Sequence, residues 1–278
     1  MIDCTKFFTA ELHASAALQQ IATAFVSLAA QGDWRTDENQ SSMRPNMPER
    51  PTAPKHSPDR PSLRHLVAAA LLALSLVSAA SVAWDRDRMT QAAQRTGPRA
   101  VAAVKVLQPL LLEGAGKDEA ALLAAVNDFF NRRVVFTDDR IAFGQDDHWA
   151  SPLEVLEKGM GDCEDYAIAK YFSLLAAGVP VAKLRLVYVR AAIGGPGGVS
   201  QAHMVLAWYA QPGAEPLILD NLIGDVRPAS RRPDLTPVFS FNSEGLWQGT
   251  AGAPAGDPVS RLSRWREIIA KARAEGFQ

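Results

Sequence analysis

Two stretches near the middle of the chain, residues 89–112 and 117–131, carry apolar residues at the spacing of an amphipathic helix. In the second stretch, one face holds Leu122, Val126, Phe129 and Phe130. Glycines at 114 and 116 lie between the two stretches and favour a turn there. The pattern therefore predicts two helices joined by a turn, followed by a mixed segment at residues 134–144 that could hold a short extended piece.

The most clearly marked helix covers residues 162–177. Its apolar stripe consists of Ile168, Tyr171, Phe172 and Leu175. Asp162 suits the N-cap position, and Asp165, three residues later, completes a capping-box pattern. Gly178 and Pro180 predict the end of this helix.

After this helix, the apolar period changes from helical spacing to alternation. Residues 184–189, 201–209, 216–220 and 238–241 predict strands, and residues 261–274 predict a closing helix. Consecutive strands joined by short loops favour antiparallel pairing, and helices that precede such strands are typical of an α+β fold. The predicted fold class is therefore α+β.

The chain before residue 84 differs in composition from the rest. Residues 32–62 contain six prolines among polar residues, which predicts disorder. Residues 66–84 carry no charge, follow basic residues and end in small residues, a pattern typical of a signal peptide cleaved before Trp84. A retained membrane anchor is the alternative, because the run is just long enough to span a bilayer.

These features divide the chain into three predicted parts. Residues 1–62 form a disordered extension or result from a misassigned start codon. Residues 63–83 form a signal peptide or signal anchor, and residues 84–278 form the functional domain. Translation from Met43 or Met47 would give the signal its usual place near the N-terminus.

Charge and cysteine content exclude several classes of protein. The 278 residues include 29 Lys and Arg against 30 Asp and Glu, a net charge of −1. This balance lacks the basic surplus that a nucleic-acid-binding protein needs, so no nucleic acid partner is expected. Two cysteines, Cys4 and Cys163, cannot build a disulfide framework or a four-cysteine metal site. Cleavage before Trp84 would leave Cys163, His148 and His203 as the only cysteine and histidines.

Cys163 follows the predicted N-cap, where the helix dipole favours a nucleophilic thiolate. A buried, unreactive cysteine is the common alternative. His203 lies on a predicted strand, and Asp220 lies at the end of the next one, where it could orient the imidazole. Nucleophile, base and orienting carboxylate are the parts of an acyl-transfer site. His148, in a polar loop upstream, is the rival base.

Three acidic residues, Asp162, Glu164 and Asp165, surround Cys163 in the sequence. Unneutralised carboxylates near the thiol would raise its pKa and oppose the helix dipole. Clustered carboxylate oxygens are ligands that Ca²⁺ prefers, and a bound dication would reverse the local field. The alternative is the ordinary enrichment of acidic residues in the first turn of a helix.

Several ordered motifs between residues 90 and 270 resemble the bacterial transglutaminase-like cysteine proteinase family, and in particular its adhesin-cleaving periplasmic members. The core motifs are GDCEDYA at 161–167, AHMVL at 202–206 and LDNL at 219–222. The flanking motifs are VNDFFN at 126–131, DHWASPL at 147–153, RRPD at 231–234 and FSFN at 239–242.

The resemblance implies a papain-like, transglutaminase-like core in residues 84–278, with N-terminal helices and a nucleophile at a helix N-terminus packed on an antiparallel sheet. It implies a Cys163–His203–Asp220 triad and calcium dependence, with Asp162 and Glu164 as ligands and, by extension, Asp165. Trp149 could contribute to an oxyanion or substrate surface, or could simply be buried.

The resemblance also implies a biological setting. Members of the family act in the periplasm, where they cleave a large surface adhesin near its N-terminus and so release cells from a biofilm. An inner-membrane receptor that senses cyclic di-GMP captures the protease and inhibits it. The expected protein is therefore a calcium-dependent periplasmic cysteine endopeptidase.

Two other classes of function fit the same residues. One is an enzyme that uses the triad for acyl transfer to an amine or for amide hydrolysis in cell-wall peptides. The other is a non-catalytic protein that binds a membrane receptor and has lost turnover.

Overall fold

The computed structural model describes residues 84–115, 118–194, 198–250 and 254–277. The extension predicted at residues 1–62 and the signal peptide predicted at 63–83 lie outside these ranges. Within the ranges, no helix combines the length and the apolar character needed to cross a bilayer.

Helices occupy the N-terminal part of the described chain: α1 at Arg86–Thr96, α2 at Pro98–Gly114 and α3 at Glu119–Arg133. The sequence pattern predicted one helix over residues 89–112, but the structure breaks it between α1 and α2. Gly97 adopts a φ of 154°, which L side chains rarely adopt, and Pro98 occupies the first position of α2. Proline suits that position because its missing N–H would have no partner within the helix.

A short segment leads into the central helix. It contains β1 at Val135–Phe136, α4 at Asp139–Ala142, α5 at Pro152–Lys158 and β2 at Met160–Gly161, with β1 and β2 paired in parallel. The central helix, α6, runs over Cys163–Ala176, and all its residues are buried. Asp162 is its N-cap, and the capping box with Asp165 is present, as the sequence predicted.

The C-terminal part of the described chain contributes seven strands to one sheet, and adjacent strands are antiparallel. The strands are β3 at Leu184–Ile193, β4 at Val199–Trp208, β5 at Leu217–Leu219, β6 at Arg227–Pro228, β7 at Leu235–Phe241, β8 at Leu246–Gln248 and β9 at Pro254–Gly256. Their order across the sheet is β6-β5-β4-β3-β7-β8-β9. Two helices close the chain, α7 at Pro258–Arg261 and α8 at Ser263–Ala274. The predicted α+β class is confirmed.

The sheet is covered on both faces. Helix α6 packs against β3 and β4. Met204 and Leu206 of β4 join the same buried cluster as the apolar residues of α6. Val205 and Ala207, which alternate with them, belong to a second buried cluster. Burial on both faces explains why β4 is apolar along most of its length.

An aromatic cluster joins α8 to α6 and β7. Trp265 is fully buried, and its ring lies 5.4, 5.6 and 5.3 Å, centroid to centroid, from Tyr171, Phe172 and Phe241. Its indole N–H donates to the carbonyl oxygen of Asn242 at 3.2 Å. The cluster holds the C-terminal helix against the core.

Replacing Trp265 with alanine is therefore expected to lower the free energy of unfolding by about 3–5 kcal/mol, because it leaves a cavity and an unpaired carbonyl. Urea titration followed by far-UV circular dichroism measures the change. Val106→Ala is the matched control. Val106 is 47% exposed, so its truncation should change stability by no more than about 0.5 kcal/mol. Equal losses in the two variants would contradict the packing role assigned to Trp265.

Candidate active site

A hydrogen bond joins His203 to Asp220. The antiparallel pairing of β4 and β5 sets Leu206 opposite Leu219, so Asp220, the next residue, falls on the face of the sheet that carries His203. Nε2 of His203 lies 2.8 Å from Oδ1 of Asp220, and both side chains are buried. The two residues that the sequence predicted as base and orienting carboxylate are therefore in direct contact.

The charge on Asp220 fixes the direction of this bond. Burial alone would raise the pKa of Asp220, but the hydrogen bond from His203 and the charges of His203 and Arg232 outweigh it and hold that pKa well below its usual range. An ionised carboxylate can only accept, so Nε2 of His203 carries the proton. Nδ1 is then the ring nitrogen that can act as a base when the imidazole is neutral.

The loop that carries Asp220 is tied to its surroundings. The backbone N–H of Leu222 donates to Oδ1 of Asp220 at 3.1 Å, and Nη2 of Arg232 donates to Oδ2 at 2.7 Å. From α3, Nδ2 of Asn131 donates to the backbone carbonyl of Asp220 at 2.8 Å. Asn127, one turn earlier on α3, donates to the carbonyl of Gly224 at 2.7 Å. The VNDFFN motif thus anchors the loop that follows β5.

Cys163 is the first residue of α6 and is 1% exposed. Its position agrees with the prediction of a cysteine among the first N–H groups of a helix. Its Sγ lies 3.0 Å from Oε2 of Glu164, within hydrogen-bonding distance. The helix that begins with Cys163 packs against β4, the strand that carries His203.

Buried carboxylates collect around the start of α6. Potential ligand atoms of Asp162, Cys163 and Glu164 lie within 4.8 Å of one another. Asp162 and Glu164, which were predicted as calcium ligands, are therefore close together. Asp139 belongs to two further groups at the same spacing, one with Asp162 and Asp165 and the other with Asp147 and Glu164. Neither Asp139 nor Asp147 was predicted from the sequence. Asp147 is the first residue of the DHWASPL motif, and Asp139 lies in the acidic stretch upstream of that motif.

The cluster carries buried oxygens that no donor satisfies. Among the described residues, no hydrogen-bond donor reaches Oδ1 of Asp139, Asp147 or Asp162. Burial raises the pKa of Asp139 to about 7, and the charges of Glu164 and Asp147 add to the effect. Burial and the charges of its acidic neighbours likewise raise the pKa of Asp162. Arg264 pairs with the other oxygen of Asp147, whereas Asp139 and Asp162 repel each other in an environment that disfavours charge. A divalent cation would offset that repulsion and bind the oxygens that lack a donor.

Asp165 differs from Asp139 and Asp162 because backbone N–H groups satisfy both of its carboxylate oxygens, not only one of them. Its Oδ1 accepts from the N–H of Ala150 at 2.7 Å, and its Oδ2 accepts from the N–H of Asp162 at 3.2 Å. A side chain on Gly161 would crowd this carboxylate, because its Cβ would lie 2.5 Å from Oδ2 of Asp165. Asp165 therefore ties the loop before α5 to the start of α6, whether or not it also contacts a cation.

The rival base, His148, is engaged elsewhere. Its Nε2 lies 2.9 Å from Oε1 of Glu154, and its ring packs on Phe143 with the centroids 4.3 Å apart. Its backbone N–H donates to Oδ2 of Asp139. Trp149 is 4% exposed and stacks on Phe241, which matches the buried alternative for this residue. The DHWASPL motif therefore supports the acidic cluster.

Comparison with known proteins agrees with this geometry. Residues 111–234 match the model of the family described as bacterial transglutaminase-like cysteine proteinase, and this range includes Cys163, His203 and Asp220. No match was found among the curated proteins searched.

Similar structures have been solved from Legionella pneumophila. The chain is 39% identical to LapG in an EGTA-treated structure, covering 68% of this chain and 97% of that one, with a TM-score of 0.59. Identity to calcium-bound LapG is 37%, covering 67% of this chain and 98% of that one, with a TM-score of 0.57. The predicted enzyme class, a cysteine protease with an α+β core, is confirmed. At this identity and coverage, the chain belongs to the bacterial transglutaminase-like cysteine proteinase family.

Proposed function

We propose that the protein is a calcium-dependent periplasmic endopeptidase that cleaves the N-terminal region of a large surface adhesin, using Cys163, His203 and Asp220. The observation that carries the proposal is the 2.8 Å contact between His203, on β4, and Asp220, at the end of β5. Cys163 begins α6, a helix that packs against β4. In this family, that combination supports a nucleophile, a base and an orienting carboxylate.

The proposed reaction uses each group at a stated atom. Nδ1 of His203 takes the thiol proton of Cys163, and the thiolate attacks the carbonyl carbon of the scissile peptide. The backbone N–H of Cys163 donates to the oxyanion that forms. The imidazolium then protonates the departing amine, leaving a thioester. His203 finally activates a water molecule, which hydrolyses the thioester and frees the enzyme.

Calcium fits the acidic cluster at the start of α6. Asp139, Asp147, Asp162 and Glu164 would supply its ligands, since three of them have buried oxygens that lack a donor. Asp165 stays a proposed ligand, with its backbone contacts as its observed role. The ion would neutralise the negative charge that surrounds the thiol. A relative in this family, LapG of Legionella pneumophila, has been solved in a calcium-bound form, which supports the assignment.

The biological setting rests on the family resemblance and on the sequence before residue 84. The uncharged run at residues 66–84 supports export, and the resemblance supports an adhesin substrate and inhibition by an inner-membrane cyclic di-GMP receptor.

Incubating the purified protein with an N-terminal adhesin fragment, with calcium or with EGTA, tests the proposed function. The expected result is two peptide fragments in calcium, with the new N-terminus identified by sequencing. A crosslinked product would instead indicate acyl transfer. Failure to label with a thiol-reactive peptide electrophile, together with the absence of fragments, would indicate a binding protein without turnover.

The two histidines separate the proposed base from its rival. His203→Ala is expected to lower kcat by about 10³-fold or more, because it removes the base and the partner of Asp220. His148→Ala should keep kcat within about tenfold, since the backbone N–H that binds Asp139 remains. Initial rates of peptide hydrolysis in saturating calcium provide the measurement. Loss of activity only in His148→Ala would reverse the assignment.

A further inference from the structure

A buried guanidinium lies behind the His203–Asp220 pair. Arg232 is 1% exposed, and its Nη2 donates to Oδ2 of Asp220 at 2.7 Å and to Oδ2 of Asp234 at 2.8 Å. Its Nε donates to Oδ1 of Asp234 at 3.0 Å. Imidazole, carboxylate, guanidinium and carboxylate thus follow one another in a continuous chain of hydrogen bonds.

We infer that Arg232 is a positioning residue for the protease, which acts through Asp220, and that Asp234 in turn positions Arg232. This inference rests on the proposed triad, because it assigns Asp220 the task of orienting His203.

The geometry of the Asp220 carboxylate carries the inference. Its Oδ1 accepts from Nε2 of His203 and from the N–H of Leu222, and its Oδ2 accepts from Arg232. Donors from three separate segments fix the plane of the carboxylate, so Oδ1 cannot turn away from the imidazole. Removing Arg232 would leave Oδ2 buried without its charged donor, and the carboxylate could then rotate about its Cβ–Cγ bond.

The orientation of the Asp220 carboxylate matters because it determines which tautomer the His203 imidazole adopts. Asp220 keeps the proton of His203 on Nε2 and leaves Nδ1 for the thiol. Besides His203 and Arg232, two charged groups act electrostatically on Asp220: Lys170, a buried residue of α6, and Asp234. No hydrogen-bond donor or acceptor among the described residues reaches Nζ of Lys170. Arg232 is therefore the cation that holds the carboxylate by a directed bond.

The contact with Asp234 explains why position 232 requires an arginine rather than a lysine. It engages Nε and Nη2 of Arg232 together, and this leaves the second proton of Nη2 directed at Asp220. Lysine has no planar fork and could not hold both carboxylates in this arrangement. The RRPD motif thus supplies both the guanidinium and the group that orients it.

A double-mutant cycle with Arg232→Gln and Asp220→Asn tests the inference in the full-length chain. Arg232→Gln is expected to lower kcat about 10- to 100-fold with little change in KM, since orientation of the base is lost and substrate contacts remain. In the Asp220→Asn background, it should cause little further loss, because the two residues act through one contact. Arg227→Gln is the matched control, because Arg227 forms an exposed ion pair with Asp225. It should leave kcat unchanged.

The second readout is the tautomer of His203, followed by ¹⁵N NMR of the histidine rings and assigned through His203→Ala. Arg232→Gln should shift His203 from a single Nε2–H tautomer to a mixture. Should Arg232→Gln fail to fold, Asp234→Asn and Arg232→Lys provide milder losses of the same geometry, and each should lower kcat and broaden the tautomer distribution.

The outcomes separate this inference from the proposed function. Normal kcat and a single tautomer in folded Arg232 variants would overturn the positioning role and leave the triad intact. The positioning role would also be overturned if the loss of kcat in the double variant equalled the product of the losses in the two single variants. That result would indicate that Arg232 and Asp220 act independently. Normal activity in Asp220→Asn would instead overturn the triad itself.

Discussion

Cys163→Ser is expected to abolish hydrolysis of an adhesin-derived peptide, lowering kcat by about 10⁴-fold or more. Serine keeps nearly the same shape at the start of α6, so the fold and the surrounding contacts should survive. Its hydroxyl has a far higher pKa than a thiol, and the proposed imidazole base, His203, cannot readily ionise it. The measurement is the rate of peptide cleavage, together with covalent labelling by a thiol-reactive peptide electrophile.

The chain offers a matched control in its second cysteine. Cys4 lies in the segment predicted to be lost on export, so Cys4→Ala should label and turn over like the unmodified protein. Retained cleavage in Cys163→Ser, with correct folding verified by thermal denaturation, would remove Cys163 from the mechanism. It would also remove the basis for the proposed triad.

Removing calcium is expected to produce the second large effect. EGTA should lower cleavage activity by about 100-fold or more and should reduce the melting temperature, because the buried carboxylates around α6 lose the charge that offsets their repulsion. Calcium at about 1,000 times its Kd would stabilise the fold by about 4 kcal/mol. Differential scanning calorimetry and calorimetric calcium titration measure both quantities.

Two neighbouring aspartates sharpen this prediction. Asp147→Asn should weaken calcium binding at least tenfold, because it removes one charge from the cluster. Asp146→Asn is the control, since Asp146 is 67% exposed and pairs with Arg140 at the surface. Equal calcium affinity in the two variants would contradict the proposed ligand set.

The pKa of Asp139 gives the pH dependence of the metal-free protein. Burial raises this pKa from 3.8 to about 7. Between these two pH values, Asp139 is protonated in the folded state and ionised in the unfolded state. Stability without calcium should therefore fall as the pH rises from about 4 to about 7. Bound calcium favours the ionised carboxylates and should reduce or reverse that fall. Melting temperatures measured between about pH 4 and about pH 7, with and without calcium, test the direction of this change in stability.

The sequence predicted the elements that carry local signals. The capping box at Asp162 and Asp165, the strand at residues 201–209 and the position of Cys163 at a helix start all rest on patterns within a few residues, and the structure has them. The break between α1 and α2 was missed, although Gly97 and Pro98 mark it locally. Strands of two or three residues, such as β6 and β8, are too short to show a period.

Parts of the site depend on contacts between distant segments, which no local pattern encodes. Asp139 reaches the cluster because β1, just before it in the chain, pairs with β2, which leads directly into α6. Arg232 reaches Asp220 because β5 and β6 pair and the chain then turns back. In both cases the residue type alone is ordinary, and burial among specific partners gives it a role.

The sheet has short strands on both sides: β6 has two residues at one edge, and β9 has three at the other. Long unpaired edges recruit strands from other molecules, so these borders protect the native enzyme against ordered aggregation. Detachment of β5 and β6 would change this, because it would uncover β4, a mostly apolar strand of ten residues. Conditions that loosen the segment around Asp220 should therefore inactivate the enzyme and promote fibril-like self-association together.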